Sequence, residues 1–286
     1  MQELWAGCKA NLFLRILGRR KDGLHELQSL FYPLPRPRDR ILVSSAKPGT
    51  GLQLSCSEPG LQGEGNILFQ AFEVFAASTG LRPDLKVHLE KNIPMGAGLG
   101  GGSSDAARLL LFLRDLFLEQ TGKDIELAPL AQSLGADVSF FLQAGPAWVQ
   151  GAGEIVSPLD IELSRVSMLV VWPGISISTA QAYALWDSSA GEGLEHPVRF
   201  WGLTSNKREY TNFLPASGRL LWNNFEQVLF DRYPELGYIK MNLLARGAAA
   251  AVLSGSGSAL LALFPSGKGL ESVCEFLDTE RIKFFI

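Results

Sequence analysis

From Lys91 the chain reads Lys-Asn-Ile-Pro-Met-Gly-Ala-Gly-Leu-Gly-Gly-Gly-Ser-Ser-Asp-Ala-Ala and then turns apolar. Five glycines, Gly96, Gly98, Gly100, Gly101 and Gly102, crowd into seven positions. Glycine reaches backbone angles closed to other residues and lets a ligand approach the main chain. Ser103 and Ser104 follow as candidate N-cap hydroxyls, with Asp105 as a first-turn capping acid. From Ala106 onward, Leu109, Leu110, Leu113, Leu116 and Phe117 keep the spacing of one helical face. A glycine-rich loop opening onto a helix N-terminus makes an anion site from backbone N–H groups and the positive end of the helix dipole. The stretch therefore predicts a phosphate cradle. Gly96 to Gly101 also satisfies G-x-G-x-x-G, but the preceding Leu85–Lys91 alternates strictly apolar and polar. That is the pattern of a half-exposed antiparallel strand, not of the buried parallel strand in a dinucleotide fold.

The remaining composition narrows the partners. A chain of 286 residues with 47% apolar and 19% charged residues is long enough for one large or two modest domains. A net charge of −3 leaves no basic footprint for nucleic acid. Cys8, Cys56 and Cys274 are odd in number, far apart and without C-x-x-C spacing. That suits reduced thiols in a cytoplasmic protein, with neither a disulfide framework nor a zinc site. The start, Met-Gln-Glu-Leu-Trp, lacks the basic and apolar regions of a signal peptide. Gly247 to Phe264 is long and uncharged, but Ser254-Gly255-Ser256-Gly257-Ser258 at its centre reads as a loop between two short strands. No membrane partner is expected.

Taken in order, Ala10 to Leu17 alternate as a strand ended by Gly18, with Lys9 and Asn11 sharing one face. Arg19 to Gly23 reads as a turn with solvated charges. Pro33, Pro35 and Pro37 break the apolar run headed by His25 and Glu26, and Ile41-Leu42-Val43 resumes it. Asn66 caps a helix closed by Gly80, and Gly135 stops another. Val166 to Trp172 is a strand, and Thr179 caps a helix through Tyr183 and Trp186. Residues 187–219 read as long loops. Asn224 to Phe230 is helical, strands flank the serine-glycine loop, and a last helix starts at Gly269. A boundary near Pro158 divides the chain into 1–158 and 159–286, with the last helix expected to pack back on the first part. Mixed elements with alternating strand faces indicate an α+β fold with largely antiparallel sheet.

Several chemistries drop out. There is no G-x-x-x-x-G-K-[ST], no protein-kinase signature, and the three histidines are isolated. What remains is a phosphate loop without a Walker lysine. Phosphoryl transfer needs such a cradle, a cation beside the transferred group, a metal ion, and a carboxylate near the acceptor hydroxyl. Lys9-Ala10-Asn11-Leu12-Phe13-Leu14, Asp22 to Leu27, Gly65-Asn66, Lys91 to Ala107, Leu134 to Val138, Asn223 to Glu226 and Ser254 to Ser258 together resemble the GHMP kinases, in family order from end to end. That resemblance implies two α+β domains with mainly antiparallel or mixed sheets and an active-site cleft between them. It also implies ATP and Mg2+. The triple-glycine form of the loop resembles members that phosphorylate a hydroxyl of a cytidine-diphosphate-linked methylerythritol on the non-mevalonate isoprenoid route.

By resemblance, Asp137 is the general base and Lys9 its cationic neighbour, where the residues alone also allow a helix N-cap and an exposed edge lysine. Asn11 holds the substrate near the base. Asn66, Lys91, Pro94, Gly96, Ala97, Gly98, Leu99, Gly100, Gly101, Gly102, Ser103 and Ser104 surround ATP. Leu24, His25, Tyr183 and Asp137 bind substrate, His25 at the cytosine edge and Tyr183 on one face of the base. Leu24 stands where the family usually carries a stacking tyrosine. Cys8, Ala10, Ser139 and Asn224 are further departures. No carboxylate pairs obviously with Ser104, so the metal ligands stay open and Mg2+ rests mainly on the nucleotide phosphates. The alternatives are a family member acting on homoserine, mevalonate or a sugar, and an inactive nucleotide sensor. Retention of Lys9 and Asp137 counts against the sensor. Monomer and homodimer both stay open.

Overall fold

The computed structural model describes residues 1–143, 145–189, 221–265 and 267–286. Its first 45 residues form one long antiparallel hairpin of β1 (Gln2–Arg19) and β2 (His25–Ser45). The turn closes as expected, but Arg20 is not merely solvated: its guanidinium meets Glu154 at 2.8 Å and Asp22 at 3.0 Å. The three prolines do not interrupt β2. Ala6 pairs with Asp39 and Cys8 with Leu34, so Pro35 and Pro37 lie in a bulge opposite Gly7, where the ladder needs no N–H. At that bulge a Cβ on Gly7 would come within 2.8 Å of the Leu34 carbonyl oxygen.

The first sheet runs β3 (Leu52–Cys56), β4 (Leu85–Glu90), β2, β1, β8 (Trp222–Asn223). The other half of β2 carries β5 (Ala147–Gly151), which pairs with β6 (Ile155–Pro158). Pairing is antiparallel except for β3 with β4 and β1 with β8. The helices α1 (Ile67–Thr79), α2 (Gly101–Thr121), α3 (Ala128–Leu134) and α4 (Ala136–Phe141) contribute to one core with this sheet. Asn66 caps α1 by accepting from the Leu68 N–H, and Gly80, at φ 73°, closes it. Phe72 and Phe75 of α1 are wholly buried beside Ile41 and Val87, each worth about 2 kcal/mol or more in apolar burial.

The second sheet, β11 (Lys283–Phe285), β7 (Ser167–Trp172), β10 (Leu260–Phe264), β9 (Ala250–Leu253), is antiparallel throughout. It shares a core with α5 (Thr179–Ser188), α6 (Glu226–Arg232), α7 (Pro234–Ala245) and α8 (Leu270–Thr279). The expectation for the last helix is corrected here. Val273, Phe276 and Leu277 of α8 bury themselves in this second core, because their i, i+3, i+4 spacing puts them on one face of the helix. The helix after Asn223 starts at Glu226, and α5 is capped by Ser178, one residue before Thr179. Of the expected loops at 187–219, positions 190–219 lie outside the described residues. A further cluster containing Leu12, Leu99, Val170, Val252 and Leu261 ties the two sheets together and floors a cleft of about 880 Å³.

Candidate active site

The glycine loop lies between the sheets, and its carbonyl groups hold it there. The oxygens of Gly96, Ala97, Gly98 and Leu99 accept, in turn, from Ile177 N (3.0 Å), Ala259 N (3.1 Å), Ser254 Oγ (3.1 Å) and Lys9 N (3.0 Å). In a trans peptide the N–H points opposite to the C=O. The amides that follow these four carbonyls therefore face away from the anchoring segments. Gly100, at φ 70°, is the N-cap of α2, and no side chain caps the helix. Ser103 and Ser104 are not caps as expected: both lie inside the first turn, because α2 begins five residues before Ala106. The glycines serve packing as well as ligand approach. A Cβ on Gly98, at φ 73°, would overlap the Ser254 carbonyl, and one on Gly101 would meet Ile93 at 2.9 Å. Gly102 alone of the five has room, its nearest neighbour at 3.8 Å.

Beside the loop, Lys9 is 4% exposed, with its ammonium 2.5 Å from Asn11 Oδ1, 3.5 Å from Asp137 Oδ2 and over the Phe31 ring. Asn11 is buried and doubly oriented, since its Nδ2 donates to Ser29 Oγ at 2.8 Å and that hydroxyl donates to Phe13 O. Neither Lys9 nor Asn11 is the solvent-facing strand residue that alternation alone allows. Asp137 is in the first turn of α4, whose N-cap is Gly135, and its side chain is 30% exposed. It lines the cleft with Lys9, Asn11 and the loop. In such a pair the partly open carboxylate can take a proton from a hydroxyl, and the buried ammonium can offset negative charge nearby.

Lys91 is engaged by the protein itself. Its ammonium pairs with Asp39, 0% exposed, and lies 2.8 Å from Asp105 Oδ2. Asp39 also accepts from Asn92 N (2.5 Å) and Ile93 N (2.8 Å). Asp105 is not a first-turn cap. Among the described residues its buried Oδ1 has no hydrogen-bond partner, and burial pushes its carboxyl up to about 8, with the nearby Asp39 adding to the rise and Lys91 opposing it. Burial opposes the charged Lys91, yet the two acids outweigh it and leave its pKa raised. Asp39 is absent from the sequence reading because only the β2–β4 pairing, 52 residues apart, brings it to Lys91.

At the other end, Leu24 stands 55% exposed at the cleft mouth, and Tyr183 lines the wall. His25 lies behind Tyr183, stacked on it at 4.4 Å, with Nε2 2.7 Å from Asp187 Oδ1. His25 and Ser104 are the two expected site residues that do not line the cleft. Asn66 does line it, though its amide is taken by Leu68 N and Leu61 O. Asn223 holds the serine loop through Leu253 O and Gly255 O, and Thr179 meets Ser256 at 3.1 Å. Asn224 accepts from Ile16 N, a structural bond to β1.

Residues 66–145 match the family model for the GHMP kinases N terminal domain, and residues 208–282 the one for GHMP kinases C terminal. The chain is 42% identical over 259 residues to a Solidesulfovibrio magneticus protein named 4-diphosphocytidyl-2-C-methyl-D-erythritol kinase, covering 90% of this chain and 86% of that one. A Nitratidesulfovibrio vulgaris protein of the same name is 38% identical over 282 residues, covering 99% and 96%. A crystal structure of 4-(cytidine 5'-diphospho)-2C-methyl-D-erythritol kinase superposes with a TM-score of 0.78 at 32% identity, over 97% of this chain and 96% of that one. The mevalonate kinase of Methanococcus jannaschii, at 14% identity and a TM-score of 0.68, shares the fold alone. By these matches and by its two-sheet cleft, the chain belongs to the GHMP kinase family of small-molecule kinases.

Proposed function

We propose that this chain transfers a phosphoryl group from ATP to a hydroxyl of 4-diphosphocytidyl-2-C-methyl-D-erythritol, in non-mevalonate isoprenoid synthesis. The observation that carries the reading is the Lys9–Asp137 pair facing the uncapped glycine loop within one cleft. The likeness to relatives bearing that kinase's name selects the substrate. In this reading the loop amides from Ala97 to Gly102, with the α2 N-terminus, hold the triphosphate. Ser103, Pro94 and Asn66 wall the nucleotide. Asp137 accepts the proton as the hydroxyl oxygen bonds to phosphorus and ADP leaves. Lys9, fixed by Asn11, offsets charge on the transferring group. Tyr183 and Leu24 flank the cytosine, with His25 supporting Tyr183 from behind.

Mg2+ would neutralise the phosphates when bound. Among the described residues no group of three His, Cys, Asp or Glu could hold it, and Asp105 is occupied by Lys91. The residues present therefore do not fit a protein-built cage. We also assign 1–158 to nucleotide and phosphate binding and 159–286 to substrate binding, in a cytoplasmic enzyme; the free thiols Cys8, Cys56 and Cys274 support that setting. No helix among the described residues is long and apolar enough to cross a membrane.

ATP consumption, measured with the cytidylated substrate and separately with homoserine, mevalonate and a free sugar, tests the assignment. Turnover only with the cytidylated compound is expected. Turnover with one of the others would move the assignment to that substrate, and none with any would favour the nucleotide sensor.

A further inference from the structure

Lys91 and Asp105 flank the glycine loop, one just before it and one just after it enters α2. They meet across its base at 2.8 Å. The same ammonium is held from beneath by Asp39 on β2, which also takes the backbone N–H groups of Asn92 and Ile93 at the loop's entrance. All three side chains are 5% exposed or less. Gly101 packs into this arrangement, since a Cβ there would stand 3.3 Å from Lys91 Nζ and 2.9 Å from Ile93. A lysine reaching for a ligand's phosphates would keep its ammonium open to the cleft; this one has two acids within bonding distance.

We infer that Asp39, Lys91 and Asp105 form a clasp that closes the base of the glycine loop and fixes its amides for the nucleotide, with Lys91 acting as a positioning residue. Two carboxylates share one buried ammonium, and the division between them is legible. Asp39 accepts from three donors, whereas Asp105 accepts from Lys91 alone and its buried Oδ1 has no hydrogen-bond partner among the described residues. Burial favours the proton on Asp105, with Asp39 nearby adding to that and Lys91 opposing it, which lessens the negative charge at the base of the loop. A protonated Asp105 does not repel a triphosphate above it, which fits an acid in the first turns of a helix proposed to bind phosphate.

The kinetic half of this inference rests on the ATP reading above; the structural half does not. Amide hydrogen exchange of residues 92–104 in the nucleotide-free protein is measured for the wild type, Lys91→Met, Asp105→Ala and Asp105→Asn, alongside ATP kinetics. The clasp predicts that Lys91→Met and Asp105→Ala speed loop exchange, and raise the KM for ATP, each by about tenfold, with kcat within about threefold. Asp105→Asn, which keeps shape and an acceptor for Lys91, should stay within about twofold of the wild type. The double variant Lys91→Met/Asp105→Ala should be no worse than either single change. Unaltered loop exchange in Lys91→Met with a raised KM would overturn the clasp and make Lys91 a direct ATP contact. Unaltered exchange and KM together would overturn it as well. Should Lys91→Met not fold, Asp105→Ala decides by the same two readouts. If the wild type consumes no ATP, the functional reading fails while loop exchange still judges the clasp.

Discussion

At the loop end of the cleft, four successive carbonyls are hydrogen-bonded to three separate segments of the chain, and three buried ionisable side chains meet at the base. At the opposite end, Leu24 is exposed, Tyr183 rests on His25, and His25 rests on a half-exposed Asp187. Backbone amides held from several directions tolerate little displacement, which suits a group that must be gripped in the same way in every turnover. A few side chains stacked on one another can be exchanged singly, which suits an end proposed to choose a nucleobase. On the proposed function, phosphoryl transfer falls at the more constrained end and base selectivity at the more exchangeable one.

The largest effect belongs to Asp137, at the junction of the two ends. Asp137→Asn keeps the shape of α4 but cannot take a proton, so turnover should fall roughly a hundredfold or more while the KM for ATP changes little. Near-normal turnover in steady-state assays would return Asp137 to a structural role in the first turn of α4.

Two glycines then separate fold from grip at the loop end. Gly98→Ala forces a side chain onto the Ser254 carbonyl at a positive φ, and should lower Tm by on the order of 5–10 °C in calorimetry. Gly102→Ala has open space and lies within a helix, so it should hold or slightly raise Tm. If the triphosphate lies against the α2 N-terminus, the same methyl should nonetheless raise the KM for ATP by about tenfold. An unchanged KM would separate the loop's packing from any phosphate contact.

Asp105 gives the comparison a pH signature. Its carboxyl rises from 3.8 to about 8 through burial, so between those values the folded protein holds a proton that the unfolded chain has released. Stability therefore drains away as pH climbs through that window, because the folded state binds more protons. Asp105→Asn removes the titration, so its Tm relative to the wild type should improve steadily from pH 5 to about pH 8. A gap that does not change with pH would mean that Asp105 is ionised beside Lys91 in the folded state.

What could be read in advance follows from the range of each signal. The α2 loop, the Asn66 cap and the serine-glycine hairpin are local patterns, and the fold confirms them at their positions. The prolines of β2 mislead because a bulge, invisible in composition, moves them out of the ladder. Asp39 is silent in sequence because its meaning comes from strands paired across some fifty residues. Strand β8 is two residues long, too short to carry any periodicity, yet it returns the second half of the chain to β1.

The smallest effect tests the open end. Stacking between a base and an aromatic ring is worth roughly 1–3 kcal/mol, and a leucine already supplies apolar cover at position 24. Leu24→Tyr should therefore recover only part of that, lowering the KM for the cytidylated substrate by roughly threefold to tenfold and leaving that for ATP unchanged. Because Leu24 is 55% exposed, a larger side chain there can stay open to solvent, and Tm should hold. His25→Ala removes the ring on which Tyr183 rests and should act in the opposite direction, weakening cytidylated substrate by a similar factor. The two variants bracket one wall of the cleft from in front and from behind. If both leave the cytidylated-substrate term alone, while an acceptor lacking the cytidyl group is phosphorylated equally well, this end does not read a base. The contrast between a fixed grip and an exchangeable wall would then apply to a different acceptor.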